Sequence, residues 1–176
     1  MRSWLIFGLA ACALLAAQEG REKLAPYYPT PSRVVEKMLQ MGELKPGEKL
    51  FDLGSGDGRI VIMAAQKFHA DATGVELDKD LVKQSLEKIR QLGLENTAHI
   101  IRGDLLRQDY STADLVTVYL LPVSNAKVQP LLDKQLKKGA RVVAHDFEFR
   151  NWSPERVETI ADDGEGRSHT LYLYRK

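Results

Sequence analysis

Leu50-Phe51-Asp52-Leu53-Gly54-Ser55-Gly56-Asp57-Gly58 reads as the end of a strand, a tight turn and the opening of a helix. Glycines in such a turn let the backbone come close to a ligand. The spacing is G-x-G-x-G, and Arg59 stands where the dinucleotide fingerprint G-x-G-x-x-G has its third glycine. Asp52 and Asp57 flank the turn. Two carboxylates repel a pyrophosphate and welcome a cation. The lysine of a phosphate-binding P-loop is missing as well.

Outward from this turn the chain alternates strand and helix. Upstream, Pro31 to Met41 carries apolar residues at helical spacing, and Lys45-Pro46-Gly47-Glu48 is a turn leading to a strand over Lys49 to Leu53. Downstream, the patterning predicts helices over Gly58–Phe68, Lys79–Leu92 and Ser124–Lys138. Strands are predicted over Ala72–Glu76, Thr97–Ile101, Ala113–Leu120 and Ala140–His145. Leu81, Val82, Leu86 and Ile89 make the expected apolar stripe of the second of these helices. Repeated strand–helix–strand units imply an α/β fold, a mostly parallel sheet with helices on both faces. The tail differs: Arg156–Ala161 and His169–Tyr174 are strand-like with no room for a helix between them, which predicts a C-terminal antiparallel hairpin.

Two further carboxylates follow strands. Glu76 ends the second strand, where an acid can accept both hydroxyls of a ribose. Asp104 follows the third, where a carboxylate can accept from an adenine amino group while Leu105 packs on the ring. Open α/β sheets bind ligands at these strand ends. A positive centre, a ribose and an adenine are the parts of S-adenosylmethionine.

From about Tyr27 to the C-terminus the chain resembles the Rossmann-like class I S-adenosylmethionine-dependent methyltransferases. Asp52 to Val61 is similar to the loop of the small lysine methyltransferases that modify the ATP synthase c-subunit and the adenine nucleotide translocase. Three other stretches resemble that family: Tyr27-Tyr28-Pro29-Thr30-Pro31, Val118-Tyr119-Leu120-Leu121-Pro122, and Arg141-Val142-Val143 with Phe147, Phe149 and Trp152. The loop is also similar to that of the non-SET histone lysine methyltransferase. The resemblance implies a methyltransferase domain over residues 27–176, S-adenosylmethionine as cofactor and a protein-lysine acceptor. It implies a cofactor site at Asp52, Gly54, Ser55, Gly56, Asp57, Gly58, Glu76, Leu77, Asp104 and Leu105. It further implies a protein substrate that is membrane-associated, as in that family.

Methyl transfer to an amine is a direct displacement that needs alignment and a neutral nucleophile. Free lysine has a pKa of about 10.4, and apolar walls and a nearby sulfonium both disfavour its cation. Tyr119 and Pro122 follow the fourth strand, where this fold places its acceptor. Tyr119 reads equally as a wall of the amine channel or as core packing. Tyr28 and Thr30 read as a cover for the methionine end of the cofactor or as an ordered lead-in to the first helix. Phe147, Phe149 and Trp152 read as a docking lip or as a cap on the sheet edge. His145 and Asp146 are adjacent on a strand and are expected to face opposite ways, so no direct pair is expected. His69, His99, His145 and His169 show no ligand spacing, and no metal is expected.

Composition bounds the rest. The 176 residues suit one domain, and 25 basic against 24 acidic residues give a net charge of +1, which argues against nucleic acid as a partner. One cysteine excludes an internal disulfide. Residues 1–20 stand apart: Arg2 precedes an apolar run from Trp4 to Ala17. That run reads as a signal peptide, as an N-terminal membrane anchor (lipidated at Cys12 or not), or as a buried helix. The chain is accordingly expected to be exported or membrane-anchored, with a cytoplasm-facing anchor as the alternative. It is expected to be a monomer. A small-molecule methyltransferase and a cofactor-binding module without catalysis are the other functional readings.

Overall fold

The computed structural model describes residues 27–176. Four helices, α1 (Ser32–Met41), α2 (Arg59–Phe68), α3 (Lys79–Gln91) and α4 (Pro122–Gln135), alternate with five strands, β1 (Lys49–Leu53), β2 (Asp71–Glu76), β3 (Ala98–Arg102), β4 (Leu115–Val118) and β5 (Arg141–His145). A single 3-10 turn at Leu105–Arg107 follows β3, and β6 (Arg156–Ile160) and β7 (His169–Arg175) close the chain. The sheet order is β3-β2-β1-β4-β5-β7-β6. The pairs among β1 to β5 are parallel, and β7 runs antiparallel to both β5 and β6. The expected α/β fold with a terminal hairpin is the one observed. The hairpin enters backwards, its second strand lying against β5.

Helices cover the two faces unequally. Val34, Val35, Met38 and Leu39 of α1, Ile60 and Val61 of α2 and Ile89 of α3 share one core with Leu50, Ala72 and Leu115. Val128 and Leu132 of α4 share the other with Leu53, Val75, Val118 and Phe149. The apolar stripe of α3 differs from expectation: Leu86 is exposed, and Ser85 occupies the buried position. Its hydroxyl donates to the Leu81 carbonyl and to that of Gly56, tying the helix to the glycine turn.

The end of the sheet away from the turn is closed by Arg141. It is buried, donating to the carbonyls of Gly42 and Glu43 just past α1 and to both oxygens of Glu48, at 3.0 and 2.6 Å. Burial works to raise the Glu48 pKa, but the guanidinium outweighs it and holds the carboxyl below its usual range. Removing one partner of a buried pair strands the other and frees the two carbonyls. Arg141→Ala should therefore cost about 3 kcal/mol. Calorimetry would read this as a fall in Tm of roughly 10 °C, with no change in the residues around the glycine turn.

The expectation of an exported or membrane-anchored chain is corrected. A spanning helix needs about 20 apolar residues. Among the described residues no helix is long and apolar enough to cross a membrane, and α4 is the longest at 14 residues. The signal-or-anchor reading of residues 1–20 lies outside the described residues.

Candidate active site

The turn after β1 is built by three left-handed glycines, Gly54, Gly56 and Gly58, with φ of 77°, 55° and 76°. A side chain at any of them would be strained. Gly74 on β2 serves the same turn differently: a Cβ there would lie 2.5 Å from the Ser55 hydroxyl. The turn can therefore rest flat on β2, where Gly54 and Ser55 both donate to the Val75 carbonyl.

Above the turn lies a pocket lined by Asp52, Gly54, Ser55, Gly56 and Asp57 from the β1 end, Glu76, Leu77 and Asp78 from the β2 end, and Gly103, Asp104 and Leu105 after β3. Tyr119 and Leu120 after β4 and Tyr27 to Thr30 from the entry segment complete it. Of the residues expected to form the cofactor site, all but Gly58 line this pocket. Gly58 instead caps α2 and faces Ser85, where a Cβ would meet the serine Cβ at 3.0 Å. Its part is helix packing.

Asp52 is buried, and one oxygen accepts from the Thr117 hydroxyl at 2.8 Å. Burial pushes its pKa up to about 7; the Thr117 bond opposes this, and the neighbouring Glu76 and Asp57 charges add to it. Thr117 was not anticipated, although a hydroxyl inside the apolar strand Leu115-Val116-Thr117-Val118 is a signal. Glu76 is held by the backbone: one oxygen accepts from Gly56 N–H at 2.8 Å, the other from Leu77 and Asp78 N–H, both at 2.8 Å. Asp104 caps the 3-10 turn by accepting from Leu106 N–H, at 2.9 Å.

Asp57 corrects the picture of two free acids. Its carboxylate is forked by Arg59, with contacts of 2.9 and 2.7 Å, and Arg59 reaches on to the Thr30 carbonyl at 2.9 Å. Burial raises the Asp57 pKa, but Arg59 more than offsets this and holds it low. The pair is internally neutral, so Asp57 adds no uncompensated charge to the pocket beside Asp52 and Glu76. The Ser55 hydroxyl is buried with no partner in the protein. A cradle of left-handed glycines and a buried acid with a pKa near 7 fit a ligand that brings hydrogen-bonding groups and positive charge.

The expected acceptor residues separate. Tyr119 lines the pocket, and so do Tyr28 and the buried Thr30. Tyr28 also lies under the Arg167 guanidinium, 5.2 Å from its ring centre. Pro122 is not brought to the pocket: it is the first residue of α4, exposed at the surface. Phe149 is buried and Trp152 half-buried, both packed on Tyr174 of β7 in the core shared with α4, so they form neither a docking lip nor a cap on the edge strand, which is β6. Phe147 lies parallel to Tyr119 at 6.3 Å.

The expectation for His145 and Asp146 fails for a local reason. The strand ends at His145, and Asp146 takes a left-handed φ of 59° that swings its carboxylate back. Asp146 Oδ2 lies 3.3 Å from His145 Nε2 and 3.0 Å from His169 Nδ1. The histidines are scattered in the sequence, but two of them meet here. Among the described residues His145, Asp146 and His169 are the group whose nitrogen and oxygen atoms are close enough to hold a metal ion.

This fold and pocket define a class I S-adenosylmethionine-dependent methyltransferase. The chain belongs to the family of the ANTKMT methyltransferase domain, whose model matches residues 52–156. It is 41% identical over 150 residues to a protein-lysine N-methyltransferase of Saccharolobus islandicus, covering 85% of this chain and 92% of that one. It is 35% identical to the adenine nucleotide translocase lysine N-methyltransferase of Mus musculus, covering 75% of this chain and 57% of that enzyme. Among solved structures, an RNA methyltransferase from Salinibacter ruber in complex with S-adenosyl-L-homocysteine superposes with a TM-score of 0.77. The two are 41% identical, over 84% of this chain and 93% of that one. The lysine methyltransferase family resembled by the sequence is thus the family found, and S-adenosylmethionine is its cofactor.

Proposed function

We propose that the chain transfers a methyl group from S-adenosylmethionine to the ε-amine of a protein lysine. Glu76 and the Gly54–Gly56 backbone would hold the ribose and methionine portions, Asp104 and Leu105 the adenine, and Asp52 the positive charge. The bound cofactor supplies an electrophilic methyl; the protein's part is to bind, align and exclude water. The observation that carries this reading is the uncompensated acidic pocket, Asp52 beside Glu76, opening onto Tyr119, Tyr28 and Thr30. An aromatic-walled mouth suits a slender amine-bearing side chain.

The protein carries 25 basic and 24 acidic residues, and this balance offers no excess to neutralise a phosphate backbone. Incubation with methyl-labelled S-adenosylmethionine and fractionated lysate, followed by peptide mapping, tests the acceptor. Label on lysine in protein of the soluble or membrane fraction is the expected result. Label confined to RNA or to small molecules would overturn it.

A further inference from the structure

We propose that His145, Asp146 and His169 form a binding site for a divalent transition-metal cation, with zinc the ion it suits, which ties the C-terminal hairpin to the end of β5. The site is separate from the cofactor cradle, since none of the three residues lines that pocket. It does not depend on the identity of the methyl acceptor.

Three ligand atoms converge. Asp146 Oδ2 lies 3.3 Å from His145 Nε2 and 3.0 Å from His169 Nδ1, and the two nitrogens are 2.9 Å apart. Metal bonds of about 2.0–2.1 Å to nitrogen and oxygen set neighbouring ligand atoms roughly 2.9 Å apart in an octahedral shell and roughly 3.3 Å apart in a tetrahedral one. The triangle already has edges of that length. The backbone builds it: His145 ends β5, Asp146 swings back on its left-handed φ, and His169 opens β7 beside them. Thr170 fixes the carboxylate. Asp146 Oδ1 accepts from Thr170 N–H at 2.9 Å, and Asp146 N–H donates to the Thr170 carbonyl at 2.7 Å. Oδ2 is the oxygen left for the triangle.

The outer side of each ring has the partner a metal-bound imidazole needs. His169 Nε2 lies 3.1 Å from Asp163 Oδ2. An ionised carboxylate can only accept, so Nε2 carries the hydrogen and Nδ1 turns its lone pair inward. Asp163 is itself buried in the hairpin loop, where Oδ1 accepts from the N–H groups of Glu165 and Arg167. His145 Nδ1 lies 3.3 Å from the Thr30 hydroxyl, which can accept in the same way. Carboxylate or hydroxyl behind histidine is the arrangement that orients histidine on metals. Two ring lone pairs and a carboxylate oxygen then face one point, and such acceptors repel unless a cation lies between them.

Two imidazoles and one carboxylate suit zinc, whereas magnesium and calcium favour oxygen alone. Three protein ligands leave a position for water. The rings of His145 and His169 are buried, but 26% of the Asp146 side chain is exposed, which gives an entry path. An ion here would act structurally. The Tyr119 ring lies 3.9 Å from that of His145, and Arg167 of the hairpin loop stands over Tyr28 at 5.2 Å. Clamping β5 to β7 therefore steadies two walls of the pocket's mouth.

A proton is the competing occupant, and zinc itself is the probe that separates the two. The full chain, made without a polyhistidine tag and stripped with EDTA, is titrated with zinc chloride. One equivalent should bind with a Kd of about 1 μM or tighter. At about 100-fold excess over Kd the Tm should rise by roughly 5–10 °C and fall back with EDTA. In NMR the ring nitrogens of His145 and His169 should shift with the first equivalent, while those of His69 and His99 stay. Asp146→Asn keeps the acceptor for Thr170 N–H and should bind zinc at least 100-fold more weakly. Asp163→Asn should weaken it about 10- to 100-fold. A Tm indifferent to zinc would leave the proton as occupant and overturn the proposal. Undiminished binding by Asp146→Asn, or ring nitrogens unmoved by zinc, would put the ion elsewhere and overturn it too. If Asp146→Asn does not fold, the NMR titration of the wild-type protein decides.

Discussion

Asp52→Asn should make the free protein more stable and its cofactor binding much weaker. The buried carboxyl titrates at about 7 in the fold but near 3.8 when unfolded. The folded state therefore binds the extra proton between those values, and stability falls as pH rises through that window. Above pH 7 the full cost of the ionised form is on the order of 4 kcal/mol. The amide carries no such cost, and its oxygen can still accept from Thr117. Calorimetry should show Tm raised by several degrees at pH 8, about 2–4 °C per kcal/mol recovered for a domain of this size, and little change at pH 4.

Binding runs the other way. A ligand with positive charge needs Asp52 ionised, so wild-type affinity should fall about tenfold per pH unit below 7. The variant's affinity should be flat with pH. At pH 8 losing the charge-assisted contact should weaken S-adenosylhomocysteine about 10- to 100-fold. A variant that binds as tightly as wild type with the same pH dependence would show that the ligand's charge lies elsewhere.

Glu76 should be at least as sensitive, and in an instructive way. Its carboxylate accepts three backbone N–H groups, from Gly56, Leu77 and Asp78, which leaves one of its four lone-pair sites, and the residue lines the pocket. Glu76→Ala strands all three donors and removes the ribose acceptor, so S-adenosylhomocysteine affinity should fall more than 100-fold. Stability should drop by about 2–3 kcal/mol, at roughly 1 kcal/mol per lost bond. Glu76→Gln should rescue little. One end of the amide is a donor, and both ends of the native carboxylate meet N–H groups. Titration calorimetry on both variants checks this; near-wild-type binding by the glutamine variant would contradict the geometry.

How far the sequence could be read depends on distance along the chain. Apolar runs punctuated by glycine and proline are local signals, and they place every strand to within two or three residues. Asp52, Glu76 and Asp104 were legible because each lies at or within two residues of the carboxyl end of a strand, and parallel strands bring their carboxyl ends to one edge. The neutralisation of Asp57 by Arg59 is a local pairing two residues apart, yet the turn's geometry decides it. Ser85 was hidden by its neighbour Leu86, since an apolar stripe can be drawn through either. The group around Asp146 was not legible. Its members come from β5, β7 and the hairpin loop, and only the antiparallel placement of β7 beside β5 joins them. The left-handed turn at Asp146 then defeats the alternation rule that holds within a strand.

A crystal structure with S-adenosylhomocysteine and the lysine-bearing acceptor peptide is the most direct test of the account. It should place the nucleoside across Glu76 and Asp104, the homocysteine amine toward Asp52, and the lysine nitrogen beside Tyr119 on a line with the cofactor sulfur. A lysine entering from another side, or a nucleoside that leaves Glu76 without contact, would contradict it.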